Sequence, residues 1–225
     1  MRKHLFLICS LAFLYLTQGT LSAGEKTYNI LFIQSYTNNT PWHNELIAGL
    51  QEGLKQEGVK ADVVTEYLNA DFWAFASERV IMRRICERAR LRKTDLIVTS
   101  GDEAFFTLTH CGDSLPYRLP VVVSGIKYPD EKVFEKMPNV SGFTSKTDFT
   151  ILLEEAIRIF PGRKEIVCLS DSSFLSLKGL RAVEEAWIPF KEKHPEYSLR
   201  KLNVQAKSTN SIITSICYDY NAYKY

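Results

Sequence analysis

Short, nearly unbroken apolar runs, separated by stretches of helical periodicity, limit the fold of this chain more than any other feature. "YNILFIQS" (28–35), "ADVVTEYL" (61–68), "DLIVTS" (95–100), "LPVVVSGI" (119–126) and "KEIVCLSD" (164–171) are such runs. A strand with one wet face alternates apolar and polar residues. A continuous run suits a strand covered on both faces, as in a parallel sheet between helices.

The intervening segments supply the helices. Thr40 suits a cap and Pro41 the first helical position, with Leu46, Leu50 and Leu54 following at one-turn spacing until Gly58. A second helix is expected from Asp71 to about Arg92, its apolar side formed by Phe72, Phe75, Val80, Ile81 and Ile85. "TDLIVTSGDEAFFTLTH" (94–110) runs from strand directly into helix, and "LPVVVSGIKYPDEKVF" (119–134) repeats the logic. The expected class is α/β: a doubly wound parallel-sheet lobe over 28–140, then a crossover and a partial second α/β lobe over 141–225.

In that second part, "PNVSGFTS" (138–145) reads as extended, with Gly142 as a flexible point. A helix carrying Ile151, Leu152, Leu153, Ala156 and Ile157 stops at Pro161-Gly162. Leu180, Val183, Trp187 and Phe190 mark another, which Pro189 is expected to bend or end. "YSLRKLNVQ" (197–205) is a further strand and 210–220 a last helix. Two strands make a thin sheet for these helices, so the lobe either continues beyond Tyr225 or is marginally stable.

The first residues, "MRKHLFLICSLAFLYLTQGTLSAGEK", have a basic start at Arg2 and Lys3, an apolar run from Leu5 to Leu16, and small polar residues to Ser22-Ala23. That is the layout of a secretory signal over 1–23, cleaved after Ala23. The run falls short of the roughly 20 residues of a membrane span, though an uncleaved N-terminal anchor is the alternative. Export makes cysteines worth counting: Cys86, Cys111, Cys168 and Cys217 remain after such cleavage. None forms a C-x-x-C pair and their spacing is too wide for a metal knuckle, so no metal site is expected. Cys86 and Cys168 fall in helical and strand patterns that suit small buried thiols.

Net charge is only +2, from 28 basic and 26 acidic side chains with no basic tract, which argues against a nucleic-acid partner. Ligands of open α/β sheets bind outside the carboxyl ends of the strands. The residues there are Gln34-Ser35-Tyr36, Ser100-Gly101-Asp102-Glu103, Ser124-Gly125-Ile126 and Ser170-Asp171-Ser172-Ser173. Glycine admits close backbone approach and helix N-termini favour polar groups. Tyr36 and Trp42 offer a stacking face. One Ser-Gly after a strand is also ordinary turn chemistry, and Asp102 equally suits a first helical turn; the recurrence at one end of successive strands is what favours a site.

Enzyme signatures are sparse. The sequence has no G-x-S-x-G elbow, no phosphate-binding G-x-x-x-x-G-K-[ST] loop and no G-x-G-x-x-G dinucleotide turn, so neither catalytic residues nor a cofactor are expected. His43 stands two residues from Glu45, on a different side of its helix, and reads as solvated. An α/β hydrolytic enzyme with a strand-end nucleophile such as Ser100 is the competing class.

"NILFIQSYTNNTPWHNELIAGLQEGL", "DLIVTSGDEA", "LPVVVSGI", "NVSGFTSKTDF" and "IFPGRKEIVCLSD", in that order, resemble type I periplasmic substrate-binding proteins in the branch related to tryptophan/tyrosine ABC-transporter binding proteins. They are especially similar to the extracytoplasmic sensor regions of Bacteroides-type hybrid two-component histidine kinases. The resemblance implies two α/β lobes, joined by crossing strands, that close on a small-molecule ligand. It implies a cleft lined by Tyr36, Trp42, Ser100, Gly101, Asp102, Ser124 and Gly125, with Thr144 near the crossover and Asp171 and Ser172 on the second lobe. The implied role is a non-catalytic periplasmic sensing region with a membrane kinase partner, or alternatively a transport receptor with a permease partner. Such relatives continue into more strands, a return to the first lobe and, in the sensors, a transmembrane helix and kinase core. A chain ending at Tyr225 is therefore expected to be a truncated form without kinase activity of its own.

Overall fold

The computed structural model describes residues 26–37, 41–70 and 75–204. The expected leader, Thr40, Asp71, Phe72, Cys217 and the helix expected at 210–220 lie outside these residues. Strands β1 (Tyr28–Gln34), β2 (Ala61–Tyr67), β3 (Leu96–Ser100), β4 (Val121–Ile126) and β5 (Val140–Thr144) form one sheet in the order β2-β1-β3-β4-β5, all neighbours parallel. Helices α1 (Pro41–Gln56), α2 (Phe75–Leu91), α3 (Asp102–His110) and α4 (Glu131–Lys136) connect successive strands. The chain continues through α5 (Phe149–Ile159), β6 (Glu165–Ser170), α6 (Phe174–Lys193) and β7 (Ser198–Asn203), with β6 and β7 a separate parallel pair.

The unbroken runs have the expected cause. Ile30, Phe32 and Val98 face Leu46, Ile47, Leu50 and Leu54 of α1. Leu31, Ile33, Ile97, Val121 and Val123 face the other way, against Met82, Ile85 and Ala89 of α2 and Ala104, Phe105 and Leu108 of α3. Helix α1 ends where Gly58 adopts φ +66° and Val59 N–H returns to the Leu54 carbonyl at 2.8 Å.

Three readings change. Val80 is 48% exposed, whereas Glu78 is buried in the row that continues through Met82, Ile85 and Ala89; packing against α3, rather than side-chain size, sets the buried stripe of α2. The segment expected as extended, with Gly142 as a flexible point, is a strand that pairs with β4, so the first sheet extends to Thr144. Gly142, at φ +144°, is a packing requirement there: a Cβ would stand 2.0 Å from the Val123 carbonyl oxygen. Finally, of the bend or end expected at Pro189, the end does not occur: α6 runs on past it to Lys193. Glu185, which loses the hydrogen bond that Pro189 cannot donate, is exposed to water, and Phe190 anchors the next turn against Leu153 and Tyr197.

Aromatic contact joins the two parts. Phe106 of α3 lies against Phe174 at the start of α6, ring centroids 4.4 Å apart. Tyr128, after β4, reaches α6 at Gly179, where a Cβ would sit 2.9 Å from the phenol oxygen. Among the described residues no helix is long and apolar enough to cross a membrane.

Candidate functional site

The strand order reverses between β1 and β3, and the loops leaving these strands diverge there. Such a switch point opens a crevice at the carboxyl ends of the strands. Ser35 holds it together. Its hydroxyl donates to the Ser100 carbonyl at 2.8 Å and accepts from Ala104 N–H at 3.0 Å. Helix α3 begins after Gly101, which has φ +91° and no capping side chain. The serine just after β1 therefore supplies the cap that the helix's own sequence lacks. The approach is tight: a Cβ on Gly101 would stand 2.5 Å from Ser35 Oγ.

Beside it, Trp42 on the first turn of α1 is 45% exposed and lies over Gly125. A Cβ at Gly125, where φ is +70°, would meet Cη2 of the indole at 2.7 Å. Tyr36 O–H donates to Glu103 Oε1 at 2.8 Å.

The ends of four strands share one register, Tyr67–Gln34–Ser100–Ser124. By alternation Gln34 shares the face of Ile30 and Phe32, which α1 covers. Gln34 and Ser100 are fully buried, yet the Gln34 amide nitrogen and oxygen and Ser100 Oγ have no hydrogen-bond partner among the described residues. Each such orphan costs about 1–3 kcal/mol, which a ligand carrying matched donors and acceptors would offset.

On the opposite face Glu78 and Glu103 are buried near one another. Burial first, and then the Glu103 charge, raise the Glu78 carboxyl to about 7, with the neighbouring Thr107 hydroxyl partly offsetting both. Glu103 is also raised, chiefly by burial, against the favourable hydrogen bonds of its own backbone N–H and Tyr36.

Tyr36, Trp42, Ser100, Gly101, Asp102, Ser124 and Gly125 thus share the strand ends of the first sheet, in different roles. Asp102 is buried and accepts from Tyr128 N–H at 2.8 Å and Lys127 N–H at 3.0 Å, fastening the loop after β4. Thr144 is exposed at the same end of β5. Ser172 is exposed after β6, and Asp171 accepts from Ser173 Oγ at 2.6 Å and Ser173 N–H at 2.9 Å. Those bonds, the hydroxyl first, hold Asp171 below the usual carboxylate range and engage it in the turn that starts α6. Sequence reasoning passed over Gln34 as a site residue and missed Glu78 altogether; a carboxylate one turn before Met82 on a buried stripe was the available signal. Among the described residues no group of three or more His, Cys, Asp or Glu side chains could hold a metal ion.

No protein-family model matches this sequence, and no curated protein matches it. Solved structures do. A domain from Streptococcus pneumonia in complex with L-Trp is 21% identical with a TM-score of 0.56, covering 85% of this chain and 62% of its own. An ABC-transporter solute-binding protein from Rhodopseudomonas palustris, in complex with 3,4-dihydroxybenzoic acid, is 13% identical with a TM-score of 0.57, over 87% of this chain and 52% of that one. The leucine-binding protein LivK of Thermotoga maritima is 14% identical with a TM-score of 0.59, over 86% and 54%. The chain therefore spans between 52% and 62% of the length of these three. What they share with it is the fold: a parallel sheet flanked by helices, in a periplasmic-binding-protein-like arrangement.

Proposed function

We propose that this chain is the ligand-binding part of an exported receptor, exported through residues 1–23, that holds a small polar molecule at the strand ends of the first sheet. One observation carries the reading: the buried amide of Gln34 and hydroxyl of Ser100, without partners among the described residues, lie in register at the switch point, beside the Trp42–Gly125 contact. Neutral donors and acceptors next to an indole suit a ligand with both a polar and a flat or apolar part. Tyr36, Gly101 and Ser124 complete the near wall, Asp102 supports the loop behind it, and Thr144, Asp171 and Ser172 belong to the crossover and the facing unit. Closure onto the second unit is the output, because a ligand shifts a conformational equilibrium only by its preference for one state.

Within this reading the chain is the sensing input region of a two-component kinase, as its quoted motifs suggest. A transport receptor is the second reading, favoured by structural neighbours that serve ABC transporters. An in-frame apolar span and kinase core encoded after Tyr225 supports the first; an adjacent permease gene supports the second. Binding itself is tested by thermal unfolding with L-tryptophan, leucine, dihydroxybenzoate and simple sugars, the ligand types of the similar structures. A ligand at 100-fold its Kd adds about 2.7 kcal/mol of stability and a clear rise in Tm. Covalent labelling of Ser100 by a broad acyl or phosphonate probe would instead favour the hydrolase reading.

A further inference from the structure

The polar row at the switch point has a composition that selects its ligand. Tyr67, Gln34, Ser100 and Ser124 stand side by side at the ends of four parallel strands, and residues in register share one face of a parallel sheet. It is the face that α1 covers, where Ile30, Phe32 and Val98 pack against Leu46, Leu50 and Leu54. No side chain of the row carries a charge. The acidic groups at the strand ends are engaged elsewhere: Asp102 accepts the N–H groups of Lys127 and Tyr128, and Glu103 accepts from the Tyr36 hydroxyl.

Within the row Gln34 and Ser100 are fully buried, and three of their atoms have no hydrogen-bond partner among the described residues: the amide nitrogen and oxygen of Gln34, and Ser100 Oγ. A primary amide with both ends unused calls for an acceptor and a donor side by side. A carboxylate would set an acceptor against the Gln34 oxygen, and an ammonium would leave the Gln34 NH2 without an acceptor. A cis-amide edge, N–H beside C=O, answers both, whichever way the Gln34 amide is turned. Ser100 stands on the next strand, about 4.8 Å away. That spacing is comparable with the separation of the two carbonyl oxygens in a six-membered cyclic imide.

We propose that the ligand of this site is a neutral flat ring with a lactam or imide edge, the chemistry of a pyrimidinedione, held edge-on by Gln34 and Ser100 and stacked on Trp42. This deepens the receptor reading above and rests on it. Gln34 Nε2 donates to one ring carbonyl, Gln34 Oε1 accepts the ring N–H, and Ser100 Oγ donates to the second carbonyl of an imide. The stacking face is the indole of Trp42, 45% exposed and lying over Gly125 at the β4 end of the row. A ring enters there by lifting the indole, because Gly125 presents no side chain; a Cβ at that position would already stand 2.7 Å from the indole. From Gln34 to Ser124 the row crosses two strand spacings, roughly 10 Å, which accommodates one ring or two fused ones.

The experiment is titration calorimetry of the full chain with thymine, uracil and 1,3-dimethyluracil, with Tm measured alongside. Thymine or uracil should bind and raise Tm. 1,3-Dimethyluracil keeps the flat ring and both carbonyls but has no N–H, and should bind at least tenfold more weakly. Gln34→Leu is close in size and leaves no amide unpaired, so it should weaken thymine or uracil at least tenfold without lowering the Tm of the unliganded chain. Should that variant not fold, the comparison of uracil with its dimethyl derivative decides alone. Equal affinity for those two compounds overturns the proposal. So does a lack of binding by thymine and uracil while L-tryptophan, leucine, dihydroxybenzoate or a sugar raises Tm, an outcome that leaves the receptor reading standing. Silence of every compound overturns both.

Discussion

Asp102 shows how a residue can stand at a site without facing its ligand. Its carboxylate accepts two backbone N–H groups of the loop after β4 while buried. Asp102→Ala should therefore cost about 1–3 kcal/mol in urea unfolding, because both N–H donors lose their acceptor. Glu78 carries a different signature. Its ordinary value of 4.5 rises to about 7 in the fold. The folded chain thus keeps a proton that the unfolded chain releases, so stability is greatest below about pH 4.5, falls as pH rises towards 7, and levels off above. Glu78→Gln should flatten that slope and exceed the parent by about 2–3 kcal/mol at pH 8, read from urea midpoints at pH 5 and pH 8. An unchanged slope in the variant would assign the titration to another group.

Among the elements, strands were the most legible, because a parallel strand covered on both faces needs an apolar run that stands out in any chain. The ends of the elements were less so. Gly142 could be read as a flexible point, yet its missing side chain is what lets β5 lie against β4. Gly142→Ala places a Cβ 2.0 Å from the Val123 carbonyl oxygen, and should lower stability by about 3 kcal/mol or more while the β1–β3 region keeps its amide-exchange protection. Pro189 could be read as a helix end because the rule is local, whereas the burial of Phe190 that carries α6 through it is tertiary. Likewise the cap of α3 comes from Ser35, 69 residues before Ala104; no spacing rule connects a strand-end serine to a helix that distant in sequence.

At the scale of the molecule, the first sheet follows from the order of apolar runs, and its switch point from the strand order. The positions of Tyr36, Ser100, Gly101, Ser124 and Gly125 at or just past the strand ends could be read from where the apolar runs stop, and that of Trp42 from the helix start that follows β1. The polar floor was harder to see: Gln34 ends an apolar run, and only the register of β1 with β3 sets it beside Ser100. The second unit is built on a two-stranded pair and leaves Ile151, Phe160 and Ile188 more than half exposed. It touches the first through Phe106, Phe174 and Tyr128. The central claim is that the Trp42–Gly125 corner and the polar row bind a small molecule, and the most direct test is titration calorimetry of the parent and Trp42→Ala with the compound that most raises the parent's Tm. Trp42 is 45% exposed, so the account predicts at least a tenfold loss of affinity, about 1.4 kcal/mol, with a smaller loss of folding stability. Equal affinity in both proteins, or a loss of stability as large as the loss of binding, would return Trp42 to the role of a packing residue and contradict the site.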